Sequence, residues 1–480
     1  MYTLYEKTFQ REKEGVKMRK LFVLLIVIAV LFSGCGKSLP ANGTQIVLSD
    51  KEITVDGEKI SHSKNDSVYA ANDIVYYMEN QGFTYGEGTK EDEHTKSEAD
   101  EHTVVHITKA GRYIISGKLT KGQIAVDLGD DAEDNLEAVA ELVLNGTEIT
   151  CTVAPAVIFY NVYECCDKED AKMDVDTSGA GANVIVADGT ENTINGSYVA
   201  KIYESYELNE DGTEIADSKK LHKYDGAFYS KMSMNINGEE KGDGVLNINA
   251  ENEGIGSELH LTINGGIINI TSGNDGINTN EDGVSVTTVN GGTVNVVCDG
   301  STGEGDGIDS NGWLVINGGT VIAQACGESM DSGIDSDKGI YINGGKVVAS
   351  GNMLDRIAGG NQTCAVFRLS GRQNGGNIYT LKNSEGEIVD EYKINNAFSC
   401  LAIAGDELKS GEYTLWQGEK QLSASKTGSM PNGAPPEFQG EKRPEKFRGE
   451  RPPMPEGEFP RGESPDMAER KRKTRVDIFQ

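Results

Sequence analysis

The chain has 480 residues, which is enough for a sizeable hydrophobic core, and 59 of them are glycines. Its net charge of −31 repels the phosphate backbone of nucleic acids, so a DNA or RNA partner is not expected. The hydrophobic content of 37% and the aromatic content of 7% are low, as in proteins whose strands are built from small β-branched residues.

The N-terminal segment has the pattern of an export signal. Residues 1–17 are polar and are interpreted as an extension upstream of a start at Met18. Residues 18–35 combine two basic residues with an apolar run too short to span a bilayer as a mature helix. The run ends in a segment that resembles a bacterial lipobox, in which Cys35 is the lipidated residue. The sequence therefore predicts a lipoprotein on the extracellular face of the cell membrane.

A β-rich body follows this signal. We interpret residues 36–43 as a linker and predict a repetitive β structure over residues 44–358. Two insertions interrupt it, near residues 66–101 and 201–221, and a short helix is expected at residues 73–78 within the first.

The body contains a segment that recurs at a fixed interval: an apolar alternation, then Asn-Gly-Gly, then a second apolar alternation. Successive Asn positions lie 26 or 27 residues apart, and an earlier Asn-Gly at Asn237 extends the series by one more interval. A repeat of this length is typical of solenoids, propellers and arrays. The four Asn-Gly-Gly asparagines are Asn264, Asn290, Asn317 and Asn343.

Two fold classes compete for this pattern. Asn-Gly between apolar runs is the strongest short hairpin signal, which favours an antiparallel meander or a propeller. Propeller blades need roughly 40 residues, however, whereas about 26 residues suit three short strands per turn. We predict an all-β fold: a right-handed parallel β-helix, which is a single-stranded solenoid. Each asparagine is expected to stack its amide on the next and to take a left-handed backbone.

The same alignment predicts which columns of side chains point inward. They lie one and three positions before each asparagine, and four and six positions after it. The members are Ile263, Val289, Ile316, Ile342; Leu261, Thr287, Leu314, Ile340; Ile268, Val294, Val321, Val347; and Ile270, Val296, Ala323, Ala349.

Acidic residues flank a second recurring segment, Gly-Ile-x-Ser. Neighbouring strands of a sheet lie about 4.8 Å apart, so carboxylates stacked at that spacing repel one another unless a cation lies between them. Ca²⁺ prefers six to eight oxygen ligands, and we predict at least one calcium site here. The alternative is a solvated acidic edge that satisfies turn amides. The candidate ligands are Asp275, Asp306, Asp309, Asp331, Asp335 and Asp337.

Two aromatic residues occupy predicted outward positions on consecutive repeats. Trp313 and Tyr341 could supply flat surfaces on which a sugar ring stacks, or could instead cover a strand edge or contact the C-terminal cap. For a lyase, a base must remove the proton beside a uronate carboxylate. The candidates are Lys338, near the acidic cluster, and Arg356 just beyond it.

The C-terminal part departs from the repeat. Residues 359–425 are predicted to form a small β-rich cap. Residues 426–480 are rich in Pro, Gly, Glu and Arg without an apolar period, and we interpret them as a disordered tail.

The chain resembles a family of exported bacterial β-helix proteins named for a carbohydrate-binding domain and similar in fold to pectate lyases. The resemblance extends roughly over residues 44–425. The motifs that carry it are Gly-Arg-Tyr-Ile-Ile-Ser-Gly at 111–117, Ala-Asp-Gly-Thr-Glu-Asn-Thr at 187–193, Tyr-Ser-Lys at 229–231, Asp-Gly-Ile-Asp-Ser at 306–310 and Gly-Asn-Met at 351–353.

This resemblance implies calcium-stabilised coils and binding of plant cell-wall polysaccharide, either cellulose or acidic sugars such as polygalacturonate, without demonstrated cleavage. We therefore predict a monomeric, lipid-anchored, calcium-dependent carbohydrate-binding protein that is not an enzyme. One alternative is a calcium-dependent polysaccharide lyase that uses Lys338 or Arg356 as its base. A second is a structural envelope protein that binds no sugar.

Overall fold

The computed structural model describes residues 43–78, 86–87, 90, 92–209, 211–212, 215–222 and 224–427. The predicted upstream extension, the export signal with Cys35 and nearly all of the predicted tail lie outside the described residues. Across the described ranges, no helix is both long enough and apolar enough to cross a membrane.

The described chain is almost entirely β. Its N-terminal strands, in chain order, are β1 (Thr44–Leu48), β2 (Thr54–Val55), β3 (Glu58–Lys59), β4 (Val68–Ala71), β5 (Gly86–Glu87), β6 (Thr103–Ile107), β7 (Gly111–Leu119), β8 (Gly122–Asp127), β9 (Ala140–Thr150), β10 (Val157–Asn161), β11 (Ala182–Val186), β12 (Glu191–Gly196), β13 (Lys201–Leu208) and β14 (Ile215–His222).

The strands of the clean repeats follow. They are β15 (Gly226–Ser230), β16 (Met234–Gly238), β17 (Val245–Ala250), β18 (Glu253–Ser257), β19 (Leu261–Ile263), β20 (Ile267–Ser272), β21 (Ile277–Thr279), β22 (Val286–Val289), β23 (Thr293–Cys298), β24 (Ile308–Ser310), β25 (Trp313–Ile316), β26 (Thr320–Gln324), β27 (Gly339–Ile342), β28 (Lys346–Gly351) and β29 (Ile357–Gly359).

The one helix of the described residues, α1 (Lys96–Asp100), lies between β5 and β6. Thr95 caps it, because its hydroxyl accepts the Glu98 N–H while the Glu98 carboxylate accepts the Thr95 N–H. The short helix expected at residues 73–78 is not formed, so that prediction was wrong. Asp73 instead accepts hydrogen bonds from Lys64 and His106, and such side-chain contacts compete with a helical turn.

Parallel pairing of equivalent strands builds three stacks. Stack 1 consists of β11, β16, β19, β22, β25 and β27; stack 2 of β12, β17, β20, β23, β26 and β28. Stack 3 consists of β6, β8, β10, β15, β18, β21 and β24. From β18 to β26, each repeat gives one strand to stack 3, then to stack 1, then to stack 2. The predicted all-β class is confirmed, the pairing in these stacks is parallel, and the arrangement is consistent with a solenoid.

The core lies on the inward faces of these stacks. All sixteen residues of the predicted inward columns are buried, with at most 2% exposure. The register explains this, since Leu261 pairs with Thr287 and Thr287 with Leu314, so equivalent side chains fall directly above one another. Like side chains packed in a column fill the same space on every repeat, which suits small β-branched residues.

The Asn-Gly-Gly turns form a ladder of side-chain amides. The predicted amide stacking is confirmed, but the prediction of a left-handed backbone at the asparagines was wrong. The second glycine of each turn has the positive φ instead, because it has no Cβ to clash in that conformation. The ladder bonds run from Asn264 to Asn237 (2.9 Å), Asn290 to Asn264 (2.8 Å), Asn317 to Asn290 (2.9 Å) and Asn343 to Asn317 (2.8 Å).

The two predicted insertions meet in space. Strands β13 and β14, from the second insertion, form an antiparallel hairpin, and β13 also pairs with β5 of the first insertion. They form a separate three-stranded sheet.

Antiparallel strands follow the last repeat. They are β30 (Cys364–Gln373), β31 (Asn377–Asn383), β32 (Ile388–Ile394), β33 (Phe398–Ala404), β34 (Gly411–Gln417) and β35 (Lys420–Thr427). Strand β33 pairs with β28 of stack 2 and with β30, and β31, β32, β34 and β35 form a four-stranded sheet. This part has its own core around Phe367, Tyr379 and Phe398. The antiparallel pairing of β33 ends the parallel addition of strands to stack 2.

Candidate functional site

A groove of about 310 Å³ runs along the outward face of stack 1. Its floor is formed by side chains two positions before four of the five ladder asparagines, and by four of the asparagines themselves. One wall is formed by residues 173–178, which belong to the connection between β10 and β11. The floor residues are Asn235, Thr262, Thr288, Val315, Asn264, Asn290, Asn317 and Asn343.

Hydrogen bonds fix this wall to the floor. Thr177, which is only 4% exposed, donates from Oγ1 to Asn235 Oδ1 at 2.8 Å. Its single hydroxyl proton is then used, so the Thr262 hydroxyl is the donor in the 2.7 Å contact between the two threonines. Asn235 Nδ2 in turn donates to the Thr177 carbonyl at 2.7 Å. The wall is therefore held by side chains from two successive repeats.

The asparagine ladder leaves polar groups available in the groove. A carboxamide has two N–H donors and an oxygen that accepts two hydrogen bonds. Inside the ladder, each asparagine uses one N–H and one acceptor site on its neighbours. Asn264, Asn290, Asn317 and Asn343 are exposed, so the remaining donor and acceptor of each face solvent. A regular row of paired donors and acceptors matches the chemistry of hydroxyl groups.

The two predicted aromatic residues lie on the same outward face. Trp313 and Tyr341 are both half-buried. Trp313 pairs with Gly339, whereas Tyr341 pairs with Val315 of the groove floor, so the two rings occupy neighbouring columns rather than one. The amino group of Lys338 lies 5.4 Å from the centre of the Trp313 ring. The structure thus places Lys338 over an aromatic ring, in a cation–π contact.

The predicted acidic residues line stack 3 and its turns. Register places Gly256, Asn278 and Asp309 in one column. Asp275 and Asp306 are linked from repeat to repeat, because Asp275 Oδ1 accepts the Asp306 N–H at 2.7 Å.

Two more carboxylates of this set bind backbone donors. Asp306 Oδ1 accepts the Ser332 N–H at 2.6 Å, and Asp331 Oδ2 accepts the Gly305 N–H at 2.7 Å. Asp337 is exposed, whereas Asp335 is half-buried.

Charge repulsion is strong along this row. Burial, followed by Glu253, Asp306 and Asp309, raises the pKa of Asp275 well above its ordinary value. Burial, followed by Asp335, Asp309 and Asp331, raises the pKa of Asp306 in the same way. These carboxyls therefore favour either a proton or a nearby cation.

Asn278 contributes an oxygen that sequence reasoning missed. It is 9% exposed and its Nδ2 donates to Glu253 Oε1 at 2.9 Å. Its Oδ1 is buried without a hydrogen-bond partner. An unsatisfied buried oxygen beside carboxylates suits a hard cation, which takes oxygen ligands. The signal was present in the sequence, since Asn278 occupies the column position of Asp309.

The acidic row is extended and is not a closed cage. Among the residues that the structure describes, the one group of three acidic or thiol ligands whose atoms all lie within 4.8 Å of one another is Glu164, Cys165 and Cys166. The predicted aspartates do not form such a group within the described part of the chain. Arg356, the second candidate base, is exposed just before β29.

A family profile of carbohydrate-binding domain-containing proteins matches residues 101–356, which is more than half of the chain. The chain belongs to this family. The matched range includes every strand of stacks 1, 2 and 3, and therefore both the groove and the acidic row.

One relative is a carbohydrate-binding domain-containing protein from Acetivibrio thermocellus, 31% identical over 167 residues. The match covers 35% of this chain and 44% of that relative, so the chain spans less than half the length of the relative it matches. A solved structure of a polysaccharide lyase-like protein from C. thermocellum, a gadolinium derivative, is 21% identical. It covers 67% of this chain and 93% of its own, with a TM-score of 0.37.

Proposed function

We propose that this family member binds an extended polysaccharide chain in the groove on the outward face of stack 1. The observation that carries the proposal is the row of exposed asparagine amides along the groove floor. Family membership supports a carbohydrate ligand. The proposed architecture is a right-handed parallel β-helix, in which the three stacks are the faces of one coil.

The dimensions of the groove suit a polymer. Asn264, Asn290, Asn317 and Asn343 lie on successive repeats, so with about 4.8 Å per strand the row extends over roughly 14 Å. That length accommodates several sugar units in an extended chain. Trp313 and Tyr341, on the same face, would provide ring surfaces beyond the amide row.

Charge bears on which polymer is bound. Asp174 and Asp176 belong to the wall of the groove, and the whole chain carries a net charge of −31. An acidic polymer such as polygalacturonate is repelled by these carboxylates unless cations neutralise them. We therefore expect cellulose to bind with little dependence on calcium, and polygalacturonate to bind only in its presence.

Calcium binding along the acidic row is a second part of the proposal. Asp275, Asp306 and Asp309 would supply carboxylate oxygens, and Asn278 its unpartnered buried Oδ1. Ca²⁺ would offset the repulsion that raises the pKa values of Asp275 and Asp306. It would act by stabilising the coil.

We further propose that the protein is a monomer anchored to the extracellular face of the membrane through lipidated Cys35, and that it does not cleave its ligand. The runner-up is a calcium-dependent lyase with Lys338 or Arg356 as base. Residues 225–355 contain only four lysines and no arginine, so few side chains there could take the proton.

The test is a binding assay on the purified chain with cellulose and with polygalacturonate, in calcium and in chelator. Retention and the absorbance of unsaturated uronate ends are recorded together. Thr288→Arg places a long side chain in the groove floor and should abolish retention. Thr293→Arg makes the same change on a half-buried residue of stack 2 and should leave it intact.

Three results would contradict the proposal. Equal retention of both arginine variants would place binding outside the groove. A rise in absorbance that Lys338→Ala or Arg356→Ala removes would establish the lyase. Absence of retention on every cell-wall polymer would instead favour a structural envelope protein.

A further inference from the structure

Two adjacent cysteines lie in the connection between β10 and β11. Cys165 Sγ and Cys166 Sγ are 3.3 Å apart, and both residues are half-buried and free. A carboxylate oxygen of the preceding residue, Glu164, lies within 4.8 Å of both sulfurs. Two thiols and a carboxylate thus converge on one point.

The carboxylate of this group is held in place by backbone donors. Glu164 is 8% exposed, and burial raises its pKa. Its Oε1 accepts the Cys166 N–H at 2.9 Å and its Oε2 accepts the Ser233 N–H at 2.6 Å. A buried carboxylate fixed in one orientation gains stability from a nearby positive charge.

Two buried polar side chains, His260 and Ser233, act electrostatically on Cys166. His260 is fully buried, and its Nδ1 accepts the Val286 N–H at 3.0 Å, so in the neutral ring the proton is on Nε2. That Nε2 has no hydrogen-bond partner, and neither has the Oγ of buried Ser233.

We propose that Cys165, Cys166 and Glu164 bind a thiophilic divalent cation of the Zn²⁺ class. Tetrahedral zinc with bonds of about 2.3 Å separates two sulfurs by roughly 3.8 Å, which small side-chain rotations reach from the present spacing. Glu164 supplies an oxygen, and the fourth position is open to water. His260 Nε2–H and the Ser233 hydroxyl, which have no other partner, are available as donors to the thiolate that cation binding would create at Cys166, so we assign them as positioning residues and not ligands.

Binding of the cation releases protons from the thiols. Each thiol that binds the cation loses its proton to solvent, and no oxidant or reductant takes part. Two thiolates and a carboxylate carry three negative charges, which one divalent cation largely neutralises.

The site adjoins the wall of the groove. The carbonyl of Asp176 lies 3.8 Å from both sulfurs, and Thr177 of the same segment is bonded to Asn235 on the groove floor. A bound cation would hold residues 173–178 at their base. The metal site is nevertheless independent of whether the groove binds sugar, and its test uses no polysaccharide.

The test uses the full-length chain, kept reduced and free of oxygen, and titrated with Co²⁺ as a coloured substitute for Zn²⁺. We expect a thiolate-to-cobalt charge-transfer band that saturates at one equivalent and disappears on addition of Zn²⁺. Cys165→Ala and Cys166→Ala should each weaken cobalt binding at least about 100-fold, and Glu164→Gln about 10-fold. Cys364→Ala, a matched change at a half-buried free cysteine elsewhere, should keep the band.

A positioning role for His260 has a separate readout. His260→Gln should retain one equivalent of cobalt while the pH of half-maximal binding moves upward, because the Cys166 thiolate has lost a donor. Circular dichroism confirms that each variant is folded. No band in the wild-type chain, an unchanged band in Cys165→Ala or Cys166→Ala, or a Cys165–Cys166 disulfide that forms in air at the same rate with and without Zn²⁺ would overturn the proposal.

Discussion

Asp275 Oδ1 accepts the backbone N–H of Asp306, the equivalent aspartate of the next repeat, at 2.7 Å. The bond fixes the spacing of two side chains that raise each other's energy when both are charged. Burial and neighbouring carboxylates raise both pKa values, so the folded chain binds protons more tightly than the unfolded chain at these positions.

The first prediction concerns pH. In chelator, thermal stability should rise as the pH is lowered from about 8 to about 5. A carboxyl whose pKa is raised in the folded chain adds stability that is complete below its pKa in the unfolded chain, about 4. That stability is lost as the pH rises through the pKa of the folded chain. Asp306→Asn should flatten this slope and raise the melting temperature at pH 8. The measurement is a series of melting curves, and a stability that falls steadily on acidification from pH 8 would contradict it.

Calcium should act on the same residues. Melting temperature should increase with Ca²⁺ at neutral pH, since a ligand that binds only the folded state stabilises it by mass action. Asp309→Asn and Asn278→Ala should each reduce the increase. Asp337→Asn, a change at an exposed member of the predicted set, serves as the comparison. Identical melting curves in calcium and in chelator for the wild-type chain would rule out the calcium site.

The asparagine ladder should contribute to stability. Asn317→Ala removes the bond to Asn290 and the bond from Asn343, and at about 1 kcal/mol net for each it should lower the free energy of unfolding by roughly 1–2 kcal/mol. Asn65→Ala, at an exposed asparagine outside the ladder, should change it by less than about 0.5 kcal/mol. Urea unfolding measures the loss in each variant. Equal losses would show that the ladder bonds stabilise the folded chain no more than hydrogen bonds to water would.

The second glycine of each Asn-Gly-Gly turn is needed for a steric reason as well as for its positive φ. Gly319 has φ +77°, and a Cβ there would lie 2.6 Å from the Gly292 carbonyl oxygen of the previous repeat. Gly386 has a similar φ of +82° with no atom within 4 Å. Gly386→Ala should therefore cost about 1 kcal/mol and Gly319→Ala at least about 2 kcal/mol more. Equal costs, measured by urea unfolding, would mean that neighbouring turns move apart and relieve the clash at Gly319 without a further loss of free energy.

Core columns should behave as one packed interior. Ile316 is fully buried between Val289 and Ile342, so Ile316→Ala should cost about 2–5 kcal/mol. Ile388 in β32 is 61% exposed, and Ile388→Ala should cost less than about 1 kcal/mol. A loss below about 1 kcal/mol at Ile316, from the same unfolding curves, would indicate a loosely packed coil.

The amino-acid sequence by itself determined the repeat, the inward columns and the stacking of asparagine amides. Each of these depends on periodicity, because residues such as Ile263 and Val289 fall on the same position of successive strands whatever the rest of the chain does. It also placed Asn278 and Asp309 in one column. Only the structure, however, showed that the Asn278 Oδ1 is buried without a hydrogen-bond partner.

Only the tertiary structure decided where the groove and the thiol group lie. Thr177 lies 58 residues from Asn235 along the chain, and its segment has no repeat that could have indicated contact with the asparagine face. Glu164 likewise meets Ser233 across 69 residues. Such contacts depend on how an irregular connection packs against the outside of a regular sheet, and periodicity carries no information about that packing.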